Sequence, residues 1–180
     1  MKYTAEMIAQ GCYTYFNYRQ NIMVPNVAWG FIPGRELDLL VIRKSGYAFE
    51  VEIKVSASDI RADLDKRHQH RHDKLKELWF AVPPDLATHP DIPTRAGVIS
   101  VSAVPTWNKH KNPFRYQPRF VRGAQSDKGA RKLTDQEIKK VMRLGCLRIP
   151  GLKANLLKIR LDKQRRASKV TPWELSTDGK

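Results

Sequence analysis

The stretch "RELDLLVIRKSGYAFEVEIKVSASD", residues 35–59, alternates with a period of two, and that alternation leaves it few ways to fold. Side chains along a strand point to opposite faces in turn. Leu37, Leu39 and Val41 therefore share an apolar face with Phe49, Val51 and Ile53, while Glu36, Asp38, Glu50, Glu52 and Lys54 fall on the other. Lys44, Ser45 and Gly46 supply a three-residue turn with Gly46 at its left-handed position. Such a turn sets Arg43 opposite Tyr47, so Asp38 faces Glu52 and Glu36 faces Lys54. A two-residue turn would set the acids against apolar residues, so the pattern itself selects the register.

Two carboxylates about 5 Å apart repel by about 3 kcal/mol at an effective dielectric near 20. Like charges directly opposed on a hairpin are normally avoided. Solvent on a wet polar face would relieve the repulsion; so would a bound divalent cation. A hard ion such as Mg²⁺ takes one or two carboxylates and keeps positions for waters and phosphate oxygens. Asp38, Glu52 and the backbone carbonyl of Ile53 form the candidate ligand set, with Lys54 beside them to orient or help deprotonate a water and to offset charge on a phosphate.

The charge balance fits a polyanionic partner. The chain of 180 residues carries a net charge of +15, and residues 101–180 hold 20 Lys and Arg against 6 Asp and Glu. The first hundred residues are nearly neutral. A field of this kind attracts nucleic acid first and an anionic membrane a distant second. No apolar run is long enough to span a bilayer. Cys12 and Cys146 lack metal-ligand spacing and read as buried, reduced thiols. Length and pattern predict one domain over 1–168, with a basic C-terminal region at 104–168 and a flexible tail at 169–180.

Along the chain, a helix is expected over 4–18 with Thr4 as N-cap, and a loop or irregular strand over 24–34. Ser56-x-x-Asp59 opens a polar helix expected over 56–77. "LWFAVPP" (78–84) and "GVISVSA" (97–103) read as buried strands, and 115–122 as a further strand. Thr134-x-x-Glu137 caps a helix over 133–147, ended by Gly145, and a basic helix follows over 150–169 with Leu152, Leu156 and Ile159 on a packed face.

Several residues are candidates for nucleic-acid contact. His68 and His72 stand at helical spacing with His70 between them, and without an evident further ligand they read as a basic face near phosphates, with His70 and His72 closest. "WNKHKNPFRYQPRFVR" (107–122) alternates aromatic with cationic residues, either to stack unpaired bases or as an edge strand with its rings in the core. Lys109, Lys111, Arg115, Arg119 and Arg122 are its phosphate candidates, joined by Lys158, Arg165 and Arg166 of the last helix.

Asp-x13-Glu-x-Lys on a hairpin, with a helix before it, "SASD" opening another and the "FAVP" strand after, resembles the PD-(D/E)xK nuclease superfamily. The stretch "ELDLLVIRKSGYAFEVEIKVSASDIRADLDK…LKELWFAVP" is similar to its MmcB-type branch, associated with DNA repair in bacteria and phages. The likeness covers about residues 4–103. Leu37 stands where the motif's proline would precede Asp38, at a position that is loose across the superfamily. The resemblance implies an α/β fold with a restriction-endonuclease-like core (αβββαβ, a mixed sheet flanked by helices) carrying basic C-terminal helices. It implies Asp38, Glu52 and Lys54 as catalytic residues, and Mg²⁺ or Mn²⁺ held by Asp38, Glu52 and Ile53. Glu6 falls where many relatives place a further metal-linked glutamate, and Glu36, Glu50 and Ser56 are candidate supporting residues. The implied activity is metal-dependent deoxyribonuclease, with a non-catalytic DNA- or RNA-binding protein of the same fold, or a ribonuclease, as alternatives. The expected partner is DNA, with RNA as the alternative, no membrane, and a homodimer compatible with the fold. The expected location is the cytoplasm, at a nucleoid or in a phage-infected host.

Overall fold

A computed structural model describes residues 2–28, 30–63, 70–107 and 113–169, the last four by backbone alone. The elements run α1 (Ala5–Tyr15), β1 (Ile22–Val27), β2 (Leu37–Ile42), β3 (Ala48–Ile53), α2 (Ala57–Ala62), β4 (Leu75–Val82), a 3₁₀ turn (Pro84–Leu86), β5 (Gly97–Pro105), β6 (Phe114–Arg122), α3 (Asp135–Leu147) and α4 (Ile149–Lys169). The six strands form one sheet in sequence order. β1, β2 and β3 pair antiparallel, β3, β4 and β5 parallel, and β6 returns antiparallel to β5. The fold is α/β, a mixed sheet flanked by helices.

The hairpin has the register its alternation predicts. Leu39 pairs with Val51, Leu40 with Glu50 and Val41 with Phe49. The Arg43 and Gly46 amides close the turn on the Tyr47 and Arg43 carbonyls at 2.9 Å each, and Gly46 adopts a φ of 85°. A side chain at Gly46 would be strained there.

One sheet face buries Leu39, Val41, Phe49, Val51, Trp79, Ala81, Ile99 and Val101 under Ile8 and Cys12 of α1 and Phe16 at its C-terminal cap. Gly11 allows that approach, because a Cβ there would stand 2.5 Å from Val101. Thr4 caps α1 by accepting from the Met7 amide at 3.4 Å. The other face buries Leu78, Phe80, Val82 and Val98 beneath Ile60 of α2 and Ile92 and Ala96 of the loop before β5. The central strands are thus covered on both sides.

Several sequence expectations need correction. The segment 24–34 begins as strand β1, which pairs with β2 through Val27. The helix expected over 56–77 is the short α2; Leu75, Lys76 and Glu77 already belong to β4, whose backbone pairs in parallel with β3 from Leu75 onward. His72 lies outside any helix, and His68 lies outside the described residues. Gly145 sits within α3 rather than ending it. Leu152, Leu156 and Ile159 are 61%, 56% and 52% exposed, so the packed face expected of α4 is solvent-facing. Cys12 is buried, with its thiol pushed up to about 12 by burial, whereas Cys146 is an exposed free thiol. The chain divides into two compact units, Met1–Met142 and Arg143–Lys180. No helix among the described residues is long and apolar enough to cross a membrane.

Candidate metal centre

Glu50 and Glu52 sit two residues apart on β3, so both project onto the α2 side of the sheet. Their parallel neighbours on β4 are Leu78 and Phe80. Both acids are buried, at 0% and 2% exposure. At Glu50 and Glu52 the polar face of the hairpin is therefore not wet, and solvent does not relieve their charge.

Cations do so instead. Arg35, just before β2, makes a close ion pair with Glu50. Lys54 Nζ donates to Glu52 at 2.8 Å and to Asp63, immediately after α2, at 3.1 Å. His70 brings Nδ1 to 3.1 Å from Glu50 and 3.7 Å from Glu52, and Nε2 to 3.3 Å from Asp63. Its backbone takes a left-handed φ of 56°, uncommon for a residue with a side chain, and its ring stands edge-on to Phe80 at 6.3 Å. Three acids thus meet three bases in a buried cluster.

The surroundings set the charge states. Burial works against the charge of Lys54, but Glu52 and Asp63 outweigh it and hold the ammonium well above its ordinary value. Burial likewise opposes protonation of His70, yet hydrogen bonds to Asp63 and Glu50 raise it to about 9. Burial pushes the Glu50 carboxyl up, against the pull of His70 and Arg35. Lys54 is thus held as an ammonium between its two carboxylate partners.

One ligand atom from each of Glu50, Glu52 and His70 lies within 4.8 Å of the others, a spacing that could hold a metal ion. Asp38 is not in that trio. It is half-buried, and its Oδ2 accepts the Ile53 amide at 2.8 Å, so it reaches the backbone between Glu52 and Lys54. The sequence singled out Glu52 and Lys54, assigned Glu50 a supporting place and assigned His70 to phosphate. It did not single out Arg35 or Asp63.

The remaining candidates scatter. Glu6 is exposed in the first turn of α1, on the opposite side of the sheet. Glu36 is exposed beside Arg35. Ser56 caps α2, accepting the Asp59 amide at 3.2 Å. His72 is half-buried, 2.8 Å from Asp73. Arg115 and Arg119 are exposed on β6, while the Arg122 guanidinium donates to the Ala96, Ile92 and Pro93 carbonyls and so staples the sheet internally. Of the rings in that segment, Tyr116 packs against the core, Phe120 is 56% exposed and Trp107 95% exposed. Lys158 and Arg165 are exposed on α4. Lys109, Lys111 and the Arg166 side chain lie outside the described residues.

No protein-family profile and no curated protein matches the chain. Among solved structures, the SPO1766 protein of unknown function from Silicibacter pomeroyi is similar, with a TM-score of 0.56 at 16% identity, over 96% of this chain and 99% of that one. At that identity the likeness speaks for the fold alone.

Proposed function

We propose that the protein is a metal-dependent nuclease of the PD-(D/E)xK type, acting on DNA, with the end of β3 as its catalytic strand. The order α1-β1-β2-β3-α2-β4 in a mixed sheet flanked by helices is compatible with a nuclease-like core. The observation that carries the reading is the convergence of Glu50, Glu52 and His70 ligand atoms within 4.8 Å, with the Lys54 ammonium 2.8 Å from Glu52. Buried carboxylates gathered at this density are costly unless they are paired or coordinate a metal.

Two carboxylates and an imidazole nitrogen fit a divalent ion, and the nitrogen favours Mn²⁺ over the more strictly oxygen-seeking Mg²⁺. Such an ion, when bound, polarises a phosphodiester and activates water. The chain's own residues supply the rest. Lys54, held by Glu52 and Asp63, presents a permanent positive charge for the negative charge that develops on the phosphate. Asp38 fixes the end of β3 through the Ile53 amide. Asp63 positions both Lys54 and His70. The net charge of +15 draws the DNA in.

A second reading rests on the same cluster. Arg35, Lys54 and His70 already balance Glu50, Glu52 and Asp63, as a metal-free ion network in a non-catalytic nucleic-acid-binding protein would require. Single-stranded, duplex and branched DNA, and RNA, incubated with Mn²⁺ or Mg²⁺, separate the two. The nuclease reading expects cleavage that falls at least about 100-fold in Lys54→Ala and Glu52→Gln. Cleavage surviving both substitutions points to a contaminant. Binding without cleavage, joined to no calorimetric Mn²⁺ uptake, selects the second reading.

A further inference from the structure

Two clefts meet at Gln10 and Thr14, which stand one turn apart on α1 and line both. The first, of about 490 Å³, is walled by Thr106 after β5 and by Phe114, Arg115 and Tyr116 of β6. The second, of about 590 Å³, is walled by Tyr13 and Tyr18 at the end of α1 and by Met23 and Pro25 of β1. Volumes of this size suit small ligands or single units of a larger one. Register explains the first cleft. Ile99 and Val101 of β5 face α1, so Ala103 and Pro105 follow them on that side, each beside its β6 partner, Tyr116 or Phe114.

Each cleft joins an aromatic residue to a cation. Arg115 lines the first. At the second, the Arg19 guanidinium stands 5.8 Å from the centre of the Tyr18 ring, and Tyr18 is 57% exposed. Gln10 and Arg115 have no side-chain hydrogen bond or ion pair among the described residues, so their donors are free for a ligand. Trp107, which follows Thr106 and is 95% exposed, adds a ring beside the first cleft. Glu6, the acid of α1, lines neither cleft, and residues 105–122 carry five Lys and Arg with no acid at all.

This set of groups matches a nucleotide. An aromatic side chain stacks a base, a free amide pairs with its edge and a guanidinium takes its phosphate. Recurrence of ring and cation in two adjoining clefts matches a strand of nucleotides. The bases of a duplex are stacked on one another, so the strand has to be unpaired.

We propose that the two clefts hold unpaired nucleotides of single-stranded DNA, with bases against Phe114 and Tyr18 and phosphates on Arg115 and Arg19. The strand then lies on the α1 face of the sheet, opposite the acid cluster. The choice of DNA over RNA rests on the nuclease reading; the stacking and charge chemistry does not.

The test is fluorescence anisotropy of labelled oligothymidylate with the full chain, without divalent metal, so that no cleavage intervenes. Saturable binding is expected, weakened about tenfold in Tyr18→Ala and in Phe114→Ala. Tyr18 is exposed, so that variant keeps the core intact where Phe114→Ala risks disturbing it. Arg115→Ala is expected to reduce the salt slope of binding by about 0.7. A duplex of equal length is expected to bind the two aromatic variants as it binds wild type. Oligothymidylate affinity unchanged in both aromatic variants, or a loss shared equally by the duplex, overturns the clefts. Oligouridylate bound more tightly than oligothymidylate overturns the assignment to DNA. The expected losses in a protein that proves not to cleave retain the clefts and discard the nuclease, whereas cleavage with affinity unchanged in the variants does the reverse.

Discussion

Two ion-pair networks of similar size lie in the same unit and differ in nearly everything but geometry. The buried one joins Arg35, Lys54 and His70 to Glu50, Glu52 and Asp63, with side chains 1–7% exposed. The exposed one joins Arg131 to Asp73 and Glu137 at 2.8 Å each and Lys74 to Glu137 at 3.2 Å, with side chains 18–53% exposed. The exposed network is solvated and screened, and pairs of that kind contribute little. The buried network has lost its water, and an ion cluster in such a place is often no more stable than apolar residues of the same volume. The six ionisable groups under the sheet therefore call for a test of what they contribute.

The largest contrast should come from removing one partner in each network. Glu50→Ala leaves Arg35 buried without its acid and removes one of the acids around His70, and is expected to cost about 3–5 kcal/mol in urea unfolding. A loss below about 1 kcal/mol would mean that water reaches the cluster and that the burial is nominal.

The networks should also answer pH with opposite sign. His70 is raised to about 9 in the folded chain from an ordinary value near 6.5. A raised value means that its contribution is complete below pH 6.5 and is lost as pH climbs through about 9, up to about 3 kcal/mol in all. Glu137 is depressed, chiefly by its hydrogen bonds from Arg131, so its contribution is present above the ordinary glutamate value and fades as pH falls below it. Urea midpoints measured from pH 6 to pH 9 should therefore fall in wild type and stay flatter in His70→Gln. A parallel decline in both proteins would place the effect elsewhere.

Metal sharpens the comparison further. Mn²⁺ at about 100 times its dissociation constant should stabilise the protein by about 2.7 kcal/mol through the buried network, and Glu52→Gln should abolish that gain. Stabilisation that persists in Glu52→Gln would move the metal off β3.

How much of this was readable beforehand follows from the same contrast. The hairpin register was legible because a turn with Gly46 left one way to keep Leu39, Val41, Phe49 and Val51 together. The exposed network was legible in part, since Thr134-x-x-Glu137 announces a cap and the Thr134 and Glu137 amides are both satisfied by it. The buried network was not. Alternation sorts residues onto faces but does not say which face is covered. A signal was present, since Leu40, Ile42 and Ala48 share the acids' face and are themselves buried. A face that mixes Glu with Leu and Ile belongs to a central strand packed on both sides. Arg35 and Asp63 escaped, and His70 was assigned to phosphate instead, because each lies outside the strands and helices, where periodicity carries no information.

The smallest expected effect tests the exposed network on its own terms. Glu137 accepts both arginine nitrogens of Arg131 at 2.8 Å and the Thr134 amide at 2.9 Å, so it joins a bidentate pair to a helix cap. Glu137→Gln keeps most of the cap's acceptor geometry and removes the charge. Its cost should lie between about 0.2 and 1 kcal/mol at low salt and shrink as ionic strength rises. The salt dependence is the discriminating measurement, because a screened surface pair must fade with added salt whereas Glu50→Ala should cost nearly the same at every ionic strength. If Glu137→Gln proved the more damaging and the less sensitive to salt, the six charges under the sheet would be the dispensable set, and the case for a working site at the end of β3 would lose its physical ground.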